Sequence, residues 1–306
     1  MNLQIKRFLI SATLSTFLYP AISLAADAKT VKMVAKRIII DNVGLMTPES
    51  IEYYAAEDVY LVSNINGNAL AAEGNGFISK IRPDGSVVKL KWIDGTQNNV
   101  HLNAPKGIEI HHGNLYVTDI NQIQIFALPS GKQKASINIK GSTFLNGITS
   151  GNGNFVYVTD SGLTAGKGSY ASSGSDAIYK VWPNGKYELI IQDKNMGRPN
   201  GIIASGKELT VVSFGSGEVY RIDANNKRHA MPTPPKGGLD GLLKLDDGRL
   251  LISSWGASAL YVLNNDNTYS ILADSLDAPA DLGFDTKRQR VLIPLFKLNK
   301  LVFLPL

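Results

Sequence analysis

Apolar and polar positions alternate in short runs along most of this chain, the two-residue period of half-buried antiparallel strands, and no long stretch carries the period of a helix. Six apolar-rich runs stand out: Val59 to Ser63, Leu115 to Asp119, Val156 to Asp160, Leu209 to Ser213, Leu250 to Ser254 and Val291 to Pro294. Ahead of each lies a short opener that sets one polar residue at the same point. The openers are Pro48-Glu49-Ser50-Ile51, Pro105-Lys106-Gly107-Ile108, Leu145-Asn146-Gly147-Ile148, Pro199-Asn200-Gly201-Ile202, Leu239-Asp240-Gly241-Leu242 and Ala280-Asp281-Leu282-Gly283. Opener and run repeat as one unit, so the unit is a folding module.

The six openers follow one another at about 46 residues on average, the length of a four-stranded propeller blade. Six such blades need about 280 residues, which the 306-residue chain supplies once a leader is set aside. The prediction is an all-β, six-bladed β-propeller. Innermost strands surround a central channel in such a fold, so the repeated polar residues fall on one ring: Glu49, Lys106, Asn146, Asn200, Asp240 and Asp281. Three carboxylates, two amides and one ammonium then converge at one mouth. Close carboxylates repel, and a proton or a hard cation between them relieves the repulsion; the cation is the expectation.

The last blade has only three strands before the chain stops, whereas Val31 to Ile40 precedes the first opener and is rich in Val and Ile. That N-terminal strand is predicted to pair as the outer strand of the last blade, closing the ring and covering exposed edges. Blade three carries the longest insertion, Ser161 to Ser175, Gly- and Ser-rich and predicted to be a loop without secondary structure.

Residues 1–25 read as a cleaved secretory leader: Lys6 and Arg7, an apolar run broken by Pro20, and Ser23-Leu24-Ala25 before the cut. The mature domain is then 26–306, with no stable membrane insertion once the leader is removed, and the expected destination is a bacterial periplasm. The leader holds two of the 31 basic residues and leaves 29 against 26 acidic ones, with no basic stripe, so nucleic acid is not an expected partner. A small-molecule substrate is. The chain has no cysteine, which excludes disulfides, thiolate nucleophiles and cysteine metal sites. Stability must come from burial, and a domain of this length supplies a sizeable core.

The order of the ring residues resembles that of the SMP-30/gluconolactonase family, also called the regucalcin family, from about residue 40 to the end. The resemblance implies a six-bladed propeller with a divalent cation at the channel mouth. It implies Glu49, Asn200 and Asp240 as metal ligands, and Asn146 as a contact to substrate or metal-bound water. The implied cofactor is Ca²⁺, with Zn²⁺ the alternative, and the implied activity is metal-dependent hydrolysis of a sugar lactone or similar cyclic ester, with Asp240 also general base. Such a cation acts as a Lewis acid on the carbonyl and acidifies water. Two departures stand against the carry-over. Glu49 lies in Thr-Pro-Glu-Ser rather than a Gly-containing context, and Lys106 sends an ammonium to the same mouth, where it either pairs with a carboxylate such as Asp281 or grips an anionic substrate. These departures keep open an alternative: a non-catalytic propeller that binds a small ligand or partner protein, or a strictosidine-synthase-like or paraoxonase-like propeller enzyme.

Other motifs carry less. Gly201 to Glu208 imitates a phosphate-binding loop but has Glu208 in place of Ser or Thr and no helix to follow. His111-His112 sits in a turn signal with Gly113-Asn114, and no Gly-x-Ser-x-Gly elbow exists. Tyr170, Phe214, Trp255 and Phe296 follow second strands or lie in the insertion, positions that suit either a pocket wall or blade packing.

Overall fold

A computed structural model of the protein describes residues 37–167 and 169–306; the predicted leader and the first part of the predicted closing strand lie outside these. Among the described residues there are strands and turns and no helix. They form a six-bladed β-propeller, each blade a four-stranded antiparallel sheet. In blade three, for example, Leu145–Ser150 is innermost, followed by Val156–Asp160, Ala177–Val181 and Tyr187–Gln192. Blade six is completed from the N-terminal side, where Ile38–Ile40 pairs antiparallel with Lys300–Pro305 in the register Ile38↔Phe303, as the pattern predicts.

The apolar runs become the second strands, and their side chains pack between blades. Val59, Leu61 and Ile78 of blade one lie against Ile108, Leu115 and Val117 of blade two in one buried cluster, and similar clusters recur around the ring. Each blade buries one face against its predecessor and one against its successor, which is why strands here are apolar on both faces. The outermost strands alternate instead: Lys132–Asn138 runs exposed, half-buried, exposed.

The openers are not turns, although Asn-Gly and Asp-Gly are common turn sequences. In blades one to five each is a β-bulge. Pro48 pairs with Asn64 and Ile51 with Val62, so Glu49 and Ser50 together oppose the single residue Ser63. The same two-against-one register recurs at Lys106-Gly107, Asn146-Gly147, Asn200-Gly201 and Asp240-Gly241. A bulge re-aims a side chain, and here it points the polar residue of the pair into the channel.

The glycine of the pair in blades two to five has a steric reason; blade one has Ser50 in its place. A Cβ on Gly147 would lie 2.2 Å from the carbonyl oxygen of Asn200, and one on Gly201 2.5 Å from that of Asp240. Adjacent inner strands touch backbone to backbone at the bulge. A hydroxyl opposite the bulge ties the same two blades together. Thr159 Oγ1 accepts from Gly147 N at 2.9 Å and donates to Asn200 O at 2.8 Å. Ser253 does the same between Gly241 N and Ala280 O, and Ser63 between Ser50 N and Lys106 O. In blade two Thr118 donates to Asn146 O at 2.6 Å. Blade four departs, with Val212 opposite its bulge. The ring closes where Asp281 N donates to Glu49 O at 2.9 Å and Ser50 Oγ donates to Asp281 Oδ2 at 2.8 Å.

The insertion of blade three corrects the expectation of a structureless loop. Leu163–Ala165 and Tyr170–Ser172 form a two-stranded hairpin. A hydroxyl cluster secures its base: Thr143, Ser173 and Ser175 hydrogen-bond one another within 2.9 Å, and Ser175 Oγ donates to the buried Asp160. Strands of three residues are too short to register as alternation against a Gly/Ser background.

Two substitutions test the blade junction. Gly147→Ala is expected to lower stability by about 2 kcal/mol or more, because backbone rather than a yielding side chain occupies the space of its Cβ. Thr159→Val, which keeps the shape and removes the hydroxyl, is expected to cost about 1–3 kcal/mol by leaving two buried backbone groups unpaired. Urea midpoints of the purified variants check both, and an unchanged midpoint in either contradicts this account of the junction.

Candidate functional site

A cavity of about 270 Å³ opens at one end of the channel. Its floor is the bulge ring: Glu49, Lys106, Asn146, Asn200 and Asp240, brought from blades one to five, all line it. The sixth ring residue does not. Asp281 is half-buried, outside the cavity, and is held by Ser50 and by the backbone N–H of Leu282. Blade six lacks the Gly directly after its polar residue, with Gly283 two places on, so its opener is set differently from the rest.

Each floor residue is at most 6% exposed, yet several of its polar atoms have no partner. Glu49 Oε2, Asn146 Oδ1 and Asp240 Oδ1 are buried and make no hydrogen bond. Trp255 Nε1, from the wall, is a fourth such atom; buried polar atoms are normally satisfied, so four orphans around one cavity, three of them oxygens of the floor, mark a place built for something else. The local structure shows how they are aimed. Asn146 Nδ2 donates to Ser161 Oγ at 3.2 Å, and that hydroxyl donates to Pro199 O at 2.7 Å, which turns the amide oxygen toward the cavity.

Electrostatics agree with the geometry. Burial pushes the Glu49 carboxyl well above its usual range, reinforced by Asp240 and Asp281, with Lys106 opposing. Burial does the same to Asp240, reinforced by Asp281; Trp255 and Asn200 beside it pull the other way. Asp281 is pushed up to about 6, chiefly by burial. Lys106 is brought down to about 8 by burial, with Asp119 and Glu49 resisting. Of the two roles open to Lys106, pairing with Asp281 does not occur: Lys106 Nζ donates to Ala104 O at 3.1 Å and sits 4.3 Å from the centre of the Phe144 ring. The floor carries two carboxylates, Glu49 and Asp240, against one ammonium, Lys106, and a divalent cation would neutralise the excess of negative charge. The donor set is oxygen throughout, from carboxylates and amides, which suits a hard cation. The residues present therefore fit a divalent ion, and Ca²⁺ better than Zn²⁺, since no histidine or cysteine lines the cavity.

The walls come from other elements. Phe214, Trp255 and Phe296 follow the second strands of blades four, five and six, and Tyr170 belongs to the hairpin; all four line the cavity. The sequence reading did not single out Arg198, Phe144, Leu163 or Ser161, which also line it. Arg198 had a signal, standing immediately before the blade-four opener and next but one to Asn200. Its backbone is left-handed at φ 61°, and its N–H donates to Asp176 Oδ2 at 2.7 Å. Phe144 and Leu163 had none, because what places Phe144 is a buried carboxylate: Asp160 accepts from the N–H groups of Thr143 and Phe144. His111 and His112 lie at the far end of the blade-two inner strand, with His111 on Gly153 O.

No family model and no curated protein matches the chain. Solved structures do match it. A gluconolactonase from Xanthomonas campestris is similar with a TM-score of 0.67 at 18% identity, covering 89% of this chain and 90% of that one. A virginiamycin B lyase from Staphylococcus aureus is similar with a TM-score of 0.61 at 17% identity, covering 89% and 99%. A catalytically inactive form of that lyase, with a histidine replaced by alanine and with quinupristin, is similar with a TM-score of 0.58 at 17% identity, covering 89% and 99%. At these identities the likeness is one of fold.

The raised carboxyls make stability fall as pH rises. A folded-state pKa above the unfolded value contributes stability that is full below the ordinary carboxylate range and is lost as pH climbs through the folded value, near 6 for Asp281. In chelator, the urea midpoint is expected to drop between about pH 5 and pH 8, and Asp240→Asn to raise it at the upper end by about 1 kcal/mol. A lower midpoint for Asp240→Asn at pH 8 contradicts the buried-charge account.

Proposed function

We propose that this chain is a metal-dependent hydrolase of cyclic esters, a lactonase of the SMP-30/gluconolactonase kind. The observation that carries the reading is the trio of buried, unpartnered oxygens on the cavity floor, Glu49 Oε2, Asn146 Oδ1 and Asp240 Oδ1. Glu49, Asn200 and Asp240 would hold a divalent cation, most simply Ca²⁺, with Asn146 toward the substrate. Bound there, the cation supplies Lewis acidity to an ester carbonyl and lowers the pKa of water.

The chain's own groups do the rest. Asp240, with one oxygen free, takes a proton from the attacking water as the water oxygen bonds to the carbonyl carbon; the ring C–O bond then breaks and Asp240 returns that proton to the departing alkoxide. Asn146, fixed by Ser161, orients the lactone. Lys106, over Phe144, offsets the negative charge of the floor. The aromatic rim keeps bulk water from the reacting centre. Export by the leader and work in the periplasm complete the reading.

The similarity to a lyase raises a second reaction class, but none of the four histidines of this chain lines the cavity, whereas a histidine replacement is what renders that lyase inactive. A non-catalytic binding propeller is favoured by one feature, the Lys106 ammonium on the floor, which takes up part of the charge a cation would meet.

Calorimetric titration of the purified chain with Ca²⁺ and Zn²⁺, followed by a lactone panel on the same samples, tests the proposal. Expected are one binding event favouring Ca²⁺, its loss in Asp240→Ala, and a fall in kcat/KM of at least about 100-fold in that variant. Binding without turnover of any lactone moves the chain to the binding class. No binding of either ion sinks the metal site.

A further inference from the structure

The walls of the cavity differ in kind from its floor. From blades four, five and six come Phe214, Trp255 and Phe296, a continuous aromatic band with Phe214–Trp255 and Trp255–Phe296 centroid separations of 5.1 Å each. From the blade-three side come Phe144 and Tyr170, edge to face at 6.2 Å, with Leu163 below them. Phe144, Leu163 and Phe296 pack together with blade-one residues in one apolar cluster, so the collar is continuous.

Hydrogen-bonding groups are scarce above the floor. Ser161 Oγ is already used twice, by Asn146 and Pro199. Arg198, the Tyr170 hydroxyl and the indole N–H of Trp255 are what remain. A sugar lactone carries a hydroxyl on nearly every ring carbon, and each one pressed against this collar loses a hydrogen bond to water without regaining one. A flat or acyl-bearing apolar group loses nothing there and stacks on the aromatic band.

We infer that the cavity takes a lactone whose non-reacting part is apolar, an aryl-fused or alkyl-substituted cyclic ester, and that it discriminates against polyhydroxylated sugar lactones. The polar floor handles the ester and the collar chooses the rest of the molecule. This rests on the proposed lactone chemistry, and it departs from the sugar lactone implied by the family resemblance in favour of the other cyclic esters.

The test separates the two. Calorimetry with non-hydrolysable lactams reads the collar without requiring turnover: dihydroquinolinone for the aryl-fused class and gluconolactam for the sugar class, each with the Ca²⁺-supplemented wild-type chain. Dihydroquinolinone is expected to bind at least about tenfold more tightly. Phe296→Ser, which removes an aromatic wall and leaves the groups around Asp240 in place, is expected to erase most of that preference by weakening dihydroquinolinone binding more than gluconolactam binding. Turnover of dihydrocoumarin and gluconolactone on the same samples is expected to follow the same order in kcat/KM. Equal or tighter binding of gluconolactam, or no binding of either lactam, overturns the inference, and the wild-type comparison decides it even if the variant fails to fold. Lactam preference without turnover of either lactone leaves the collar assignment standing and overturns the reaction.

Discussion

Everything in this molecule hangs on the backbone contact between neighbouring inner strands at the bulge. In blades two to five a glycine sits there because backbone of the next blade occupies the space of its Cβ, blade one having Ser50 instead, and in blades one, two, three and five a Ser or Thr hydroxyl from the second strand bridges the two blades. The contact fixes how far apart successive blades stand. It also fixes the direction of the residue before the glycine, which is thrown into the channel. One geometric device thus sets both the ring of blades and the ring of polar groups.

That economy has an electrostatic cost. Side chains presented at the same height on adjacent blades are close to one another and cut off from water, so Glu49 and Asp240 resist ionisation, and Lys106 resists protonation. An ammonium donating one hydrogen bond to Ala104 and resting on Phe144 compensates only part of the charge. A floor of this kind is poorly matched to itself and suited to a cation, which is the physical content of the metal site proposed. The orphaned oxygens and the raised carboxyls are two views of one frustration.

Floor and collar are built by different parts of the chain. The floor comes from inner strands, where the bulge leaves little freedom. The collar comes from segments that follow second strands and from the hairpin of blade three, whose lengths and sequences vary without disturbing the propeller. Similarity of fold to both a gluconolactonase and a lyase is consistent with that division, since one scaffold carries sites of several kinds. In this chain the histidines lie elsewhere, and the carboxylates and amides are at the mouth.

The repeat of openers and apolar runs was sufficient to determine six blades and the strand that closes the last, and to place the five floor residues among six ring candidates, because period and alternation are local consequences of backbone geometry and burial. Phe214, Trp255, Phe296 and Tyr170 were legible as candidates by position alone. The sequence could not distinguish an Asn-Gly bulge from an Asn-Gly turn: both use the absence of a Cβ, and only the neighbouring blade supplies the carbonyl that makes it necessary. Nor could it turn Asp281 away from the mouth, seat Lys106 on Phe144, or bring Arg198 and Leu163 to the cavity. Those placements depend on contacts between residues far apart in the chain, such as Asp160 with the N–H of Phe144 and Ser50 with Asp281, and such contacts exist only once the ring has closed.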